Sequence, residues 1–159
     1  MNPKDKTDRE RLKELVKQTP KQVFLALYLS VALGMLLGLR GIFLRMSQGA
    51  FSGKSLMFTL LVFGFFTVNG LSLLSRSRWA YVSLAIFSLL PLLGSLAGAV
   101  HLLALLVTGS ISNNAVETMA SAVALLQLIV IVALLSMLLS SATRSYVWSS
   151  AASSGPPTS

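Results

Sequence analysis

The stretch SLMFTLLVFGFFTVNGLSLL, residues 55–74, is twenty residues long and contains no charged side chain. A helix rises about 1.5 Å per residue, so about 20 residues cross the roughly 30 Å hydrocarbon core of a bilayer. A transmembrane barrel strand would be about ten residues long and would alternate apolar with polar positions, which this stretch does not. It therefore predicts a transmembrane helix, the structure that pairs all its backbone polar groups within one segment.

Three further apolar stretches flank this one. The chain has 159 residues, of which 54% are hydrophobic and 11% charged, whereas a soluble domain carries about 25% charged residues. The predicted spans are residues 22–44, 55–74, 79–107 and 115–142. We therefore predict an all-α membrane protein with four transmembrane helices, short loops and an N-terminal amphipathic helix. Pro91, half-way along the third span, predicts a kink there.

Two tails flank the predicted transmembrane domain of residues 22–142. Residues 1–21 form a basic N-tail with seven of the thirteen Lys and Arg residues, four interleaved acids, and Leu12, Leu15 and Val16 at helical spacing. This predicted helix either lies on the lipid headgroups or docks a protein partner. Residues 143–159, which end in SSAASSGPPTS, are predicted to form a disordered tail.

The distribution of positive charge predicts the orientation in the membrane. With the N-terminus inside, ten Lys and Arg residues fall on the inner side and three on the outer side. Positive residues favour the cytoplasmic side, so both termini are predicted to be cytoplasmic, in a plasma membrane of the bacterial inner-membrane type. Four aromatic residues are expected at the inner interface: Trp79, Tyr81, Tyr146 and Trp148.

Several functional classes receive no support from the sequence. SQGAFSGKS, residues 47–55, resembles a phosphate-binding loop, but Gly49 and Gly53 are one residue too close and no strand precedes them. The N-tail has no aromatic residue to stack a base, so we expect no nucleic-acid partner. With no cysteine, one histidine and no carboxylate expected to be buried, the sequence predicts no cofactor, no metal site and no enzyme.

Glycines spaced four residues apart mark two spans. The first contains Gly34 and Gly38, and the third contains Gly94 and Gly98. Small residues at this spacing let helix backbones approach closely in lipid, where burial of apolar surface gives little drive for association. The two pairs have similar predicted depths, and the two spans run in the same direction. We therefore expect these spans to pack together within one chain or to form a homo-oligomer face.

Besides scattered Ser and Thr, the spans contain few polar side chains, and the candidates among them are Asn69, His101 and Gln127. Such groups within a membrane are candidates for function. His101 is expected to have no acidic partner at its depth, and a lone histidine makes a poor zinc site. The three residues either bond neighbouring helices separately or line a polar path.

Three charged residues are expected near the outer ends of the spans. Arg40 and Arg45 either extend the first helix with outward-pointing side chains or form a cationic rim for an anionic ligand, a lipid or an acidic partner. Glu117 either completes a helix cap with Asn114 or contacts a cation or a partner on the outer face.

Two functional hypotheses follow. The first is a non-enzymatic protein that acts by binding a protein partner in the bilayer, as an accessory subunit, an assembly factor or an immunity-type protein. The second is a small oligomeric transporter or channel with a polar path near His101, Gln127 and Asn69. The scarcity of charge within the spans favours the first, since coupled transport usually uses ionisable groups there.

Overall fold

The computed structural model describes residues 19–49, 52–109 and 115–149. Within these ranges the chain forms five helices and no strand: α1 Lys21–Ser47, α2 Gly53–Leu74, α3 Arg78–Thr108, α4 Ala115–Leu139 and α5 Ser141–Trp148. The first four are long and apolar enough to cross a membrane. The predicted all-α fold with four spans is therefore confirmed. The N-terminal amphipathic helix falls on residues 1–18, outside the described ranges.

The helix ends follow from local chemistry. α1 begins directly after Pro20, and Pro20 accepts the first hydrogen bond from the Val23 backbone N–H at 3.0 Å. The Ser77 hydroxyl caps α3 by accepting from the Ala80 N–H at 3.3 Å. α3 ends where Gly109 adopts φ +68°, a left-handed conformation that terminates helices readily when the residue is glycine.

The four long helices form a ring in chain order. α1 packs closely against α2 and α4, and α3 packs closely against α4, whereas α2 and α3 touch much less. α1 and α3 lie diagonally across the ring. We call the end where Thr19, Leu74 and Tyr146 meet the terminal end; there the Tyr146 hydroxyl donates to the Leu74 carbonyl at 2.7 Å. The opposite end is the distal end.

The core is densest toward the terminal end. Its buried residues come from all five helices and include Val23, Leu73, Leu84, Leu138 and Val147. Three buried serines, Ser30, Ser88 and Ser95, donate their hydroxyls to carbonyls on their own helices, Ser30 to the Leu27 carbonyl at 2.8 Å. This local bonding lets hydroxyls occupy an apolar interior without a partner on another helix.

The glycines of α1 pack differently from the expected pairing of the first and third spans. A Cβ at Gly34 would lie 3.1 Å from the Phe66 Cβ, and one at Gly38 would lie 2.6 Å from the Thr59 Cγ2, so both glycines face α2. Consecutive helices joined by a short connection become neighbours, which places α1 against α2 and leaves α3 on the diagonal. Pairing within one chain was therefore the wrong expectation, and the homo-oligomer alternative stays a prediction.

The beginning of the predicted disordered tail is a helix. The Ser140 hydroxyl caps α5 by accepting from the Thr143 N–H at 3.3 Å. Thr143, Tyr146 and Val147 are buried against the bundle. The apolar contacts of Tyr146 and Val147 outweigh the polar composition that suggested disorder. Residues 150–159 lie outside the described ranges.

Candidate functional sites

A lateral groove runs between α2 and α3, where the ring of helices is least tightly closed. Its volume is about 1030 Å³. α1 contributes a stripe of Leu37, Gly41 and Arg45 at a four-residue spacing, and the side walls come from α2 and α3. Phe65 of α2 meets Phe87 of α3 with ring centroids 4.7 Å apart, so an aromatic contact bridges the two walls. The groove is therefore a defined apolar cleft that opens toward lipid.

Two glycines line this groove at positions where no neighbouring atom requires a small residue. A Cβ added at Gly41 or Gly64 would meet nothing within 4 Å. The glycines of the helix joints differ: a Cβ at Gly70 would collide with the Ser30 hydroxyl. The chain thus carries small residues at its own helix contacts and also on a surface that its own helices leave vacant.

The distal end of the groove is its polar end. Arg45 donates to the Ser55 hydroxyl at 2.7 Å, and Ser55 is buried. Arg45 is the one charged residue that lines the groove. The first helix extends past Arg45 to Ser47, as expected, and Arg45 is exposed, while its hydrogen bond also ties α1 to the beginning of α2.

A second polar cluster lies at the distal end between α1, α3 and α4. Arg40 donates to the Gly94 carbonyl at 2.7 Å, so its guanidinium crosses the ring instead of pointing outward. His101 Nε2 lies 3.2 Å from Glu117 Oε1. The expectation that His101 has no acidic partner is therefore wrong, because Glu117, in the first turn of α4, reaches the level of His101. A cavity of about 210 Å³ lies beside this cluster.

The structure describes only one of the two residues of the predicted helix cap, Glu117. Asn114 lies outside the described ranges, whereas the Glu117 carboxylate is placed beside His101.

A Cβ at Gly98 would lie 3.2 Å from Arg40 Nη2 and 2.5 Å from the Ala124 Cβ. The glycine on α3 therefore makes room both for α4 and for the Arg40 guanidinium.

The polar residues of the proposed path do not converge. The Asn69 amide donates to the Phe65 carbonyl on its own helix at 2.9 Å and lines the groove. Gln127 is fully buried inside the bundle, and neither its Nε2 nor its Oε1 has a hydrogen-bond partner among the described residues. His101 belongs to the distal cluster. The three side chains thus occupy three separate environments.

Sequence reasoning missed the groove and a set of contacts at the terminal end. Arg76 lies over the Tyr146 ring at 4.7 Å, and Arg78 lies over the Trp148 ring at 4.6 Å. Because the spans are apolar on all sides, their sequences do not mark which face is left open. The available signal was Gly64, a mid-span glycine with no small residue four positions away on either side.

Comparison of the chain with protein families, with curated proteins and with solved structures gave no match. Across residues 19–49, 52–109 and 115–149, no three His, Cys, Asp or Glu side chains group closely enough to hold a metal ion. The groove and the two polar ends of the bundle are therefore the candidate functional sites.

Proposed function

We propose that this chain is a non-enzymatic membrane protein that binds one transmembrane helix of a partner protein in the groove between α2 and α3. The observation that carries the proposal is the vacant surface at Gly41 and Gly64. Helix interfaces in lipid are rich in small residues because these let backbones approach closely. Such a chain acts as an accessory subunit, an assembly factor or an immunity-type protein.

The lining of the groove suits docking better than reaction chemistry. Its walls are almost entirely apolar, and Arg45 at the distal end is its one ionisable group. An apolar helix would pack along the length of the groove, and a polar or acidic residue near its end would meet Arg45. The glycine surface favours a helix over lipid chains, because only a helix gains from a close approach of two backbones.

Membrane placement is part of the same proposal. Thr19, Leu74 and Tyr146 share one end of the bundle, and the excess of Lys and Arg at that end favours the cytoplasm of a bacterial inner membrane. The chain has no cysteine, so single-cysteine variants are clean probes. Ser77→Cys should react with a membrane-impermeant maleimide only after permeabilisation, whereas Ser52→Cys should react in intact cells. The opposite pattern would invert the orientation.

Photo-crosslinking tests the docking site. A crosslinker attached at Phe58→Cys, Leu61→Cys or Val68→Cys faces the groove. In native membranes, these probes should attach to one partner protein, and the attachment points should shift along a single transmembrane helix. A probe at Leu126→Cys, which is exposed on α4 outside the groove, is the matched control and should not attach to it.

A blocking substitution completes the test. A Cβ at Gly64 meets nothing within 4 Å, so Gly64→Trp places a large side chain in the groove, and the protein should remain folded and abundant while the adduct disappears. Leu103→Trp, on an exposed position of α3 outside the groove, should leave the adduct unchanged. Adducts with lipid alone would refute the proposal. Adducts with a second copy would reassign the groove to self-assembly.

One observation favours the alternative of a small transporter or channel. The fully buried amide of Gln127 has no partner among the described residues, and a polar group in such a place is costly unless it serves a purpose. If transport is the function, Gln127→Leu should abolish complementation of a deletion strain, and Gly64→Trp should not. If helix docking is the function, the result should be the reverse.

A further inference from the structure

The terminal end of the bundle holds a basic site that the proposed docking function does not use. Arg144 lines a cavity of about 310 Å³ together with Ser141, Ser145 and Trp148. The Arg78 guanidinium lies 4.6 Å from the centre of the Trp148 ring. The Trp148 ring therefore lies beside Arg78 and shares the cavity with Arg144 and two hydroxyl groups. We call this arrangement the Trp148 site.

A neighbouring contact holds the Trp148 site in place. The Arg76 guanidinium stacks on the Tyr146 ring, and the Tyr146 hydroxyl bonds both the Leu74 carbonyl and Thr19 Oγ1. Arg76 has φ +59°, a left-handed conformation that is uncommon for a residue other than glycine. The turn between α2 and α3 is therefore fixed against α5, which fixes the direction of Arg78.

These arginines have no carboxylate to balance them within the described residues. Glu117 is the one acid there, and it lies at the distal end. Arg76, Arg78 and Arg144 make their ring contacts or line the cavity without forming an ion pair. An uncompensated group of guanidinium ions beside a cavity favours an anion, and guanidinium groups match phosphate oxygens in geometry.

The position of the Trp148 site relative to the membrane indicates which kind of anion it binds. α2 ends at Leu74, α3 begins at Arg78 and α4 ends at Leu139, so the cavity lies at the level where lipid headgroups begin. Trp148 is half-exposed there, and an indole is typical of this interface. The cavity is a shallow depression, open to its surroundings, with room for a headgroup.

We propose that the Trp148 site binds the phosphate of an anionic phospholipid, with Arg144 as its ligand and with Arg78, stacked on the Trp148 ring, adding to the positive potential. The Ser141 hydroxyl donates a hydrogen bond to a phosphate oxygen, the Ser145 hydroxyl keeps its hydrogen bond to the Ala142 carbonyl, and the indole contacts the glycerol region. Basic pockets at the cytoplasmic ends of transmembrane helices are typical sites for anionic headgroups. The site is independent of the groove, since the two share no lining residue.

The test uses Trp148 as its own reporter. Trp79→Phe leaves Trp148 as the one tryptophan, because the chain has two. The full chain is reconstituted in phosphatidylcholine vesicles that contain either brominated phosphatidylglycerol or brominated phosphatidylcholine, and bromine quenches the indole of Trp148. Quenching should favour phosphatidylglycerol, and the preference should weaken as salt rises.

Substitutions then identify the ligands. Arg144→Gln should weaken the preference roughly fivefold, the usual contribution of one basic residue near an anionic surface. Arg144→Lys keeps the charge and should retain most of the preference. Lys54→Gln, at the distal end, should have no effect. Circular dichroism and gel filtration of each variant establish that a loss of preference is not a loss of fold.

Three outcomes would overturn the proposal. The first is equal quenching by both lipids, or a preference that Arg144→Gln leaves intact. The second is loss of the preference when residues 1–18 are deleted, which would assign it to the basic N-tail. The third is displacement by inorganic phosphate at constant ionic strength, which would assign the site to free phosphate.

Discussion

Replacing Gly38 with alanine should loosen the joint between α1 and α2. The new Cβ would lie 2.6 Å from the Thr59 Cγ2, well inside van der Waals contact. Thr59 is β-branched and stiff at χ1, and its hydroxyl donates to the Ser55 carbonyl at 3.0 Å. The methyl group therefore cannot rotate away without breaking that bond, so either the side chain or the helix must move.

The expected magnitude is a balance of two effects. Overpacking a close helix contact costs about 1–3 kcal/mol, and replacing glycine by alanine within a helix returns about 0.5–1 kcal/mol. The midpoints of these ranges differ by about 1.25 kcal/mol, so the free energy of unfolding should fall by about that amount and by no more than about 2.5 kcal/mol, and the folding equilibrium should shift roughly eightfold. Gly41→Ala, one turn along α1, is the matched control because its Cβ meets nothing within 4 Å.

Reversible unfolding in mixed micelles measures both free energies. Thr59→Ser removes the obstructing methyl group but keeps the hydroxyl, so the double variant Gly38→Ala/Thr59→Ser should recover most of the loss. The reasoning would be refuted if Gly38→Ala and Gly41→Ala were equally stable. A double variant no better than Gly38→Ala alone would equally show that the Thr59 methyl is not the obstacle.

The same assay tests three other contacts. Gly98→Ala should destabilise the chain more than Gly94→Ala. A Cβ at position 98 would lie 2.5 Å from a neighbouring Cβ, whereas the nearest atom to a Cβ at position 94 is 3.5 Å away. Equal effects of the two substitutions would contradict this reasoning. Gln127→Leu should raise the free energy of unfolding by about 1–3 kcal/mol, since it removes two unsatisfied buried polar atoms; a loss of stability would reveal a missing partner. Tyr146→Phe should lower it by about 0.5–1.5 kcal/mol through the lost bond to the Leu74 carbonyl; no change would mean that this bond does not anchor α5.

The sequence predicted the spans well because bilayer thickness and backbone hydrogen bonding leave few alternatives. The uncharged stretch of residues 55–74 had to be a helix, and α2 comprises Gly53–Leu74. Neighbour relations were less accessible. The glycines of α1 indicated a close contact but not the identity of the facing helix, because Gly34 and Gly38 would suit any helix that approaches closely. Which helices meet depends on the order of the ring, which the short connections determine.

The candidate sites were harder to predict for a related reason. Arg40 and His101 were recognised as unusual, but their partners are a backbone carbonyl and an acid on other helices. A backbone carbonyl has no signature in a sequence. α5 was missed because TRSYVW is mostly polar, and its stability comes from Tyr146 and Val147 packing against residues more than sixty positions away, such as Leu73 and Leu84.

The unequal packing of the ring bears on the choice between the two functions. A path through Gln127 needs the interior of the bundle to open, and the seam beside it is tight: Gly98 and Ala124 leave no space for a methyl group. A helix entering beside Gly64 displaces only lipid, since that surface is already vacant. Docking therefore requires little rearrangement of the chain, whereas transport requires the tight contact between α3 and α4 to part. This difference in cost is the physical reason for preferring a partner-binding role.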